Sequence, residues 1–224
     1  MSSNIDRSET PHSDQIVRYT ANVRTNHWTV AIAFILAALS GLAMFDPSTF
    51  WLSNLFGGGP WTRVLHPFIG LVMVIAFAFL ASQVQSDNRM NIGDWQWLKQ
   101  WRDVVNNREE RLPEVGRYNA GQKLLYLVLV LCLAVLLLSG IVIWRQYFAS
   151  YFPISVVRLA SVLHSLCAFV LICAIIVHIY AGIWVKGSVR AMTRGTVSPG
   201  WAWKHHRGWY REMIHAANPR SRPD

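Results

Sequence analysis

The chain has 224 residues, 53% of them hydrophobic, with a mean hydropathy of +0.26 and a formal charge of +9. So apolar a composition excludes an ordinary soluble domain of this length and fits a small membrane bundle. The positive balance does not indicate nucleic acid, because the basic residues flank apolar stretches instead of forming a face of their own.

Residues 1–15 are polar and read as a flexible or partner-bound tail, with no pattern of a cleavable signal peptide in the first 25 residues. Residues 16–26 read as a segment lying along the membrane surface. A first span is expected over 28–45, with His27 at its entrance and Asp46-Pro47 at its end. The connection over 46–65 carries Gly57-Gly58-Gly59-Pro60 as a turn signal and room for a short surface helix over 49–56. A second span is expected over 67–83, with Pro67 in the first turn, where no amide donor is needed. Residues 84–121 are polar. Within them Asp94 can cap a helix over 95–106 whose Trp97, Trp101, Val104 and Val105 share one side, as suits a helix at the interface. A third span follows over 122–144, a short loop over 145–157, and a fourth span over 158–185. The segment 186–224 is a basic, Trp-rich tail. Cys132, Cys167 and Cys173 lie inside apolar spans and read as packing residues.

Lys and Arg are distributed unevenly about these spans. Eighteen lie in the N-terminal tail, the 84–123 segment and the C-terminal tail, against three (Arg63, Arg145, Arg158) in the opposite loops. By the positive-inside rule, both termini are cytoplasmic. The reading is an all-α membrane protein, a four-transmembrane-helix bundle in which residues 16–185 form one domain.

The spans contain histidines, which are costly at membrane depth and mark function. His164 and His178 share the fourth span, fourteen residues apart, hence within ~40° of one face and ~21 Å apart along it. With the topology above, His27 lies at the depth of His178 near the cytoplasm, and His66 at the depth of His164 on the far side. Two depth-matched pairs are what two stacked haems with bis-histidine ligation require. Without a Cys-x-x-Cys-His motif covalent attachment is excluded, so the haems are b-type. Gly41 and Gly70 lie roughly on the faces of His27 and His66, where a flat macrocycle needs room, and Gly140 can ease close packing. A proton relay, a metal site, or polar contacts between helices are the competing readings of these histidines. His205 and His206 read as interface or partner contacts, and His12 and His215 receive no role. Two haems across a bilayer carry electrons, most simply to a quinone. Residues 118–123 offer it a polar pocket, where Asn119 and Gln122 can donate to a carbonyl; alternatively Asn119 only caps the third span.

The motifs HWTV at 27–30, LSG at 39–41, LHPF at 65–68, GRYNAGQK at 116–123, SGIVIWR at 139–145, YFP at 151–153, VHIY at 177–180, WVKGS at 184–188 and KHHRGWYRE at 204–212 form an ordered series over about residues 16–215. In this series the chain resembles the gamma subunits, cytochromes b, of membrane-bound respiratory formate dehydrogenases. The resemblance implies that His27 and His178 hold a cytoplasmic-side haem b, that His66 and His164 hold a periplasmic-side haem b, and that Asn119, Gly121, Gln122 and His178 form a quinone site. It implies a subunit that carries electrons and reduces menaquinone or ubiquinone. Its expected partners are an iron–sulfur subunit and a molybdenum- or tungsten-dependent catalytic subunit that oxidises formate. The complex would sit in the bacterial inner membrane, with a higher oligomer compatible. A nickel–iron hydrogenase cytochrome b and a haem-free anchor are the alternatives.

Overall fold

The computed structural model describes residues 15–106 and 108–217. The expectation for the tail over 1–15 therefore lies, except for residue 15, outside the described residues, as does His12. Four long helices are apolar enough to cross a membrane: α1 (Ala21–Phe45), α2 (Gly59–Val84), α5 (Ala120–Ile143) and α6 (Ile154–Trp184). Between α2 and α5 lie two short helices, α3 (Ile92–Lys99) and α4 (Trp101–Val105). After α6 come α7 (Ser188–Arg194), α8 (Pro199–His205) and α9 (Arg207–Ala217). Strand β1 (Ile16–Val17) pairs antiparallel with β2 (Thr196–Val197). A 3-10 helix, Pro47–Phe56, occupies the first connection, where the sequence suggests a short surface helix.

The helices begin earlier than hydropathy suggests, because their starts are set by caps. Thr20 accepts from the Val23 amide and opens α1 well before residue 28, so 21–26 belong to the helix instead of lying along a surface. Pro60 takes the first-turn place of α2, leaving Pro67 inside the helix. There it withholds an amide from the carbonyl of residue 63, a cost tolerated inside a packed bundle. The cap of α3 is Asn91, with Asp94 as its reciprocal partner: Asn91 Oδ1 accepts from Asp94 N at 2.9 Å, and Asp94 Oδ2 from Asn91 N at 2.8 Å. The expected helix over 95–106 is broken at Gln100.

The bundle is built from two helical hairpins, α1 with α2 and α5 with α6. Ala33, Met73, Phe77, Leu133 and Leu171 form its core. Leu171 stands midway between His164 and His178, so this apolar layer separates the two histidine levels. Outward residues such as Val72, Ile75 and Phe79 on α2 and Leu131 and Leu138 on α5 stay exposed, as lipid-facing positions do.

The segment before α1 and the segment after α6 meet at one end of the bundle, the tail end; the connections α1–α2 and α5–α6 form the other, the loop end. The C-terminal segment folds into a cap around Ala191, Val197, Ala202 and Trp209. Gly195 turns with φ +85°, and a Cβ there would lie 2.8 Å from Tyr19 O, so the junction of α7 and β2 needs glycine. Arg18, 1% exposed, fills the middle of the cap. Its guanidinium lies 4.3 Å from the Trp209 ring and within 6 Å of Tyr19, Tyr118 and Trp201. It donates to Arg117 O and lies 3.3 Å from His206 Nε2. His206 Nδ1 in turn donates to Gly116 O at 2.9 Å. His206 is thus an internal strut, 3% exposed, and not the surface contact the sequence suggests.

Burial first, and the Arg18 charge second, push the His206 pKa from 6.5 down to about 3. The unfolded cap therefore binds a proton that the folded cap refuses. Stability from this residue is present above pH 6.5 and is lost as pH falls toward 3. Hydrogen exchange of the cap amides is expected to accelerate as pH is lowered through that window, after correction for intrinsic rates. His206→Asn is expected to flatten that dependence; an unchanged profile would assign it to another group.

Candidate functional site

The structure brings together the four histidines of the spans in two pairs. The His27 and His178 rings, from α1 and α6, have centroids 6.3 Å apart at an interplanar angle of 55°. The His66 and His164 rings, from α2 and α6, have centroids 6.2 Å apart at 69°. The first pair lies toward the tail end and the second toward the loop end. Two imidazole–metal bonds of about 2.0–2.1 Å, with the short distance from nitrogen to ring centre on each side, place ring centres at most roughly 6.3–6.5 Å apart, and slightly less when the bonds are not in line. Both pairs therefore fit one metal ion held between two facing imidazoles. Among the described residues no third His, Cys, Asp or Glu joins either pair to make a bare-metal site. Two axial nitrogens are what a protein supplies to an iron whose other four ligands belong to a porphyrin.

The loop-end pair has further support that sequence reasoning missed. Ser40 Oγ lies 2.9 Å from His66 Nδ1, and Ser139 Oγ lies 3.0 Å from His164 Nδ1. Each serine is followed by a glycine that touches the same ring. A Cβ on Gly41 would lie 3.3 Å from His66 Cε1, and one on Gly140 would lie 3.3 Å from His164 Cε1. Gly41 thus serves His66, the partner across the hairpin, where its spacing had suggested His27. A Cβ at Gly70 would meet open space. The signal was in view: Leu-Ser-Gly occurs at 39–41 and again at 138–140, followed by His66 and His164 at nearly equal distance. Gly41→Val is expected to cost about 1–3 kcal/mol by overpacking, read as a lower thermal midpoint of the detergent-solubilised protein.

At the tail end Asn119, Gly121 and Gln122 lie together at the start of α5. Asn119 Oδ1 accepts from Gln122 N at 2.9 Å, and Gln122 Oε1 accepts from Asn119 N at 3.0 Å. The capping role weighed for Asn119 is therefore real. It occupies both amide oxygens and leaves both side-chain NH2 groups without a hydrogen-bond partner among the described residues. Gly121 faces Trp97 of α3, whose ring would lie 3.6 Å from an added Cβ, so Trp97 packs on the bundle instead of lying free at the interface. Next to Gln122, Lys123 Nζ lies 2.8 Å from Asp94 Oδ2, and both side chains are nearly sealed. His178 sits six residues before the end of α6, about 9 Å along the helix, and no hydrogen bond joins it to the α5 cap. Burial pushes the Tyr118 hydroxyl well above its usual range, so this neighbour of the cap remains protonated.

Four apolar helices that turn two facing pairs of imidazoles inward, one pair toward each end, define a membrane cytochrome b. The chain belongs to the prokaryotic cytochrome b561 family, whose model matches residues 18–195. The formate dehydrogenase cytochrome b556(fdo) subunit of Escherichia coli K12 is 48% identical over 200 residues, covering 89% of this chain and 94% of that one. The nitrate-inducible formate dehydrogenase cytochrome b556(Fdn) subunit of the same strain is 42% identical over 201 residues, covering 90% and 93%. The formate dehydrogenase cytochrome b556 subunit of Haemophilus influenzae is 40% identical over 210 residues, covering 94% and 88%.

Proposed function

We propose that the chain is the dihaem cytochrome b subunit of a formate dehydrogenase, anchoring its partners in the bacterial inner membrane and delivering electrons to quinone. The observation that carries this reading is the ring separation of 6.3 and 6.2 Å in two pairs at opposite ends of one bundle. His27 and His178 would hold a cytoplasmic-side haem b, and His66 and His164 a periplasmic-side haem b. The basic excess at the tail end supports that orientation. When bound, haem supplies reversible one-electron chemistry at its iron.

The residues of the chain do the rest. The four histidines hold the two sites at depths set by the fourteen-residue step along α6. The layer around Leu171 keeps water from the path between them. Asn119 Nδ2 and Gln122 Nε2 donate to a quinone carbonyl at the tail end, beside the His178 level. A quinone reduced there takes two electrons through the bundle and two protons from the cytoplasm. Because the electrons cross inward without protons, each turnover charges the membrane. Moving one charge against ~100 mV costs about 2.3 kcal/mol, which the potential difference between formate and quinone must supply. An iron–sulfur subunit and a molybdenum or tungsten catalytic subunit on the periplasmic side are the partners this reading requires; formate oxidation occurs in the latter.

The test is isolation of the intact complex from its membrane, with haem content, metal analysis and formate-driven quinone reduction. Two b-type haems per copy of this chain, molybdenum or tungsten, and formate-dependent quinol formation are expected. Absence of a b-type spectrum would leave a haem-free anchor, and nickel in the complex would make it a hydrogenase cytochrome.

A further inference from the structure

Ser40 and Ser139 lie in different halves of the chain, on α1 and α5, yet make the same contact with the two histidines of one pair. Each hydroxyl has one proton to give. Ser40 Oγ lies 2.8 Å from Leu36 O, and Ser139 Oγ lies 2.6 Å from Val135 O, each the carbonyl one turn back. Two oxygens so close need the proton between them, so each hydroxyl is committed to its own helix. Toward the imidazole each serine can then only accept. Nδ1 of His66 and of His164 carries the hydrogen, and Nε2 is left with its lone pair for a metal. Both serines are shut off from solvent, at 0% and 4% exposure, so no water replaces them in this role.

The tail-end pair is built otherwise. His27 Nδ1 is buried with no hydrogen-bond partner, and no hydrogen bond to the His178 ring occurs among the described residues. The two levels of the bundle thus differ at the one ring atom through which a protein adjusts an axial imidazole.

We propose that Ser40 and Ser139 are positioning residues that lower the reduction potential of the loop-end haem, and so bias electrons toward the tail end. This rests on the dihaem reading above. An acceptor on Nδ1–H makes the imidazole a stronger donor through Nε2, which favours ferric iron over ferrous. With both sites loaded, the two serines would favour transfer of a single electron from the loop-end site to the tail-end site, with no bond or proton exchanged. Neither serine touches quinone or the catalytic partner; each acts through a histidine.

The test is an optical redox titration of the intact membrane complex, with haem content per chain, for wild type, Ser40→Ala, Ser139→Ala and the double variant. In His66→Ala the absorption component that disappears marks the loop-end haem. Each single serine variant is expected to shift that component to higher potential, and the double variant further, while the other component stays in place. Unchanged midpoints, a downward shift, or two serines moving different components would overturn the proposal. Should an alanine variant lose the component altogether, the matching Ser→Thr variant, which keeps the hydroxyl, must retain it at the wild-type potential; its loss there too counts against a hydrogen-bonding role. A wild-type complex with fewer than two b-type haems would refute the dihaem reading itself, before any serine is changed.

Discussion

His178→Ala is expected to remove one of two b-type haems per chain and to bring formate-driven quinone reduction to background. The His178 ring is one side of the tail-end pair, 6.3 Å from His27. Alanine leaves His27 facing a gap that no other His, Cys, Asp or Glu among the described residues is placed to fill. The substitution removes one proposed iron ligand, at whose level the quinone is also proposed to sit, so electron delivery and acceptor binding are expected to fall together. His66→Ala is the contrasting variant. It is expected to remove the other haem and block turnover, yet to leave a quinone-site inhibitor bound at the tail end with little change in affinity. The haem spectrum and inhibitor titration of each variant check this. Loss of inhibitor binding in His66→Ala, or retention of both haems in His178→Ala, would contradict the assignment of pairs to ends.

Lys123→Met is expected to destabilise the protein by about 3–5 kcal/mol, since removing one partner of a buried ion pair leaves the other charge uncompensated. Lys123 Nζ lies 2.8 Å from Asp94 Oδ2, with side chains 7% and 5% exposed. The pair ties α3 to the first turn of α5, where Asn119 and Gln122 close their reciprocal cap. Asp94 also accepts from the Asn91 amide, so its carboxylate cannot simply turn away to water without uncapping α3. Adding Asp94→Asn to Lys123→Met is expected to recover much of the loss, because a neutral amide can still accept from Asn91 and no buried charge remains. Thermal unfolding of the detergent-solubilised protein measures both. A single variant as stable as wild type would show the pair to be solvated in the membrane.

Much of the bundle was legible because a bilayer imposes two strict demands on sequence. A span needs roughly 20 apolar residues, and a polar side chain within it is costly unless it has work to do. Those demands expose the spans, and the fourteen-residue step from His164 to His178 exposes the two levels. The cap boundaries were less legible. Hydropathy reports where lipid begins, whereas Thr20, Asn91 and Pro60 decide where hydrogen-bonded helix begins. Asn119 was readable as a cap or as a ligand donor; the structure shows the cap, which uses the amide oxygen and leaves the nitrogen for the donor role proposed above.

By itself the amino-acid order determined four apolar helices, their count, and the depth of each histidine, because hydropathy and helical rise are properties of a single segment. Only the tertiary structure decided that Ser40 and Ser139 reach across their hairpins to His66 and His164, and that Arg18 and His206 close the tail-end cap. Those contacts join residues from 25 to 188 positions apart, and their formation depends on how helices rotate and approach, which no single segment encodes. Serine in an apolar helix satisfies its hydroxyl on its own backbone whether or not a histidine is near, so the repeated Leu-Ser-Gly marks the two serines without saying which ring each meets.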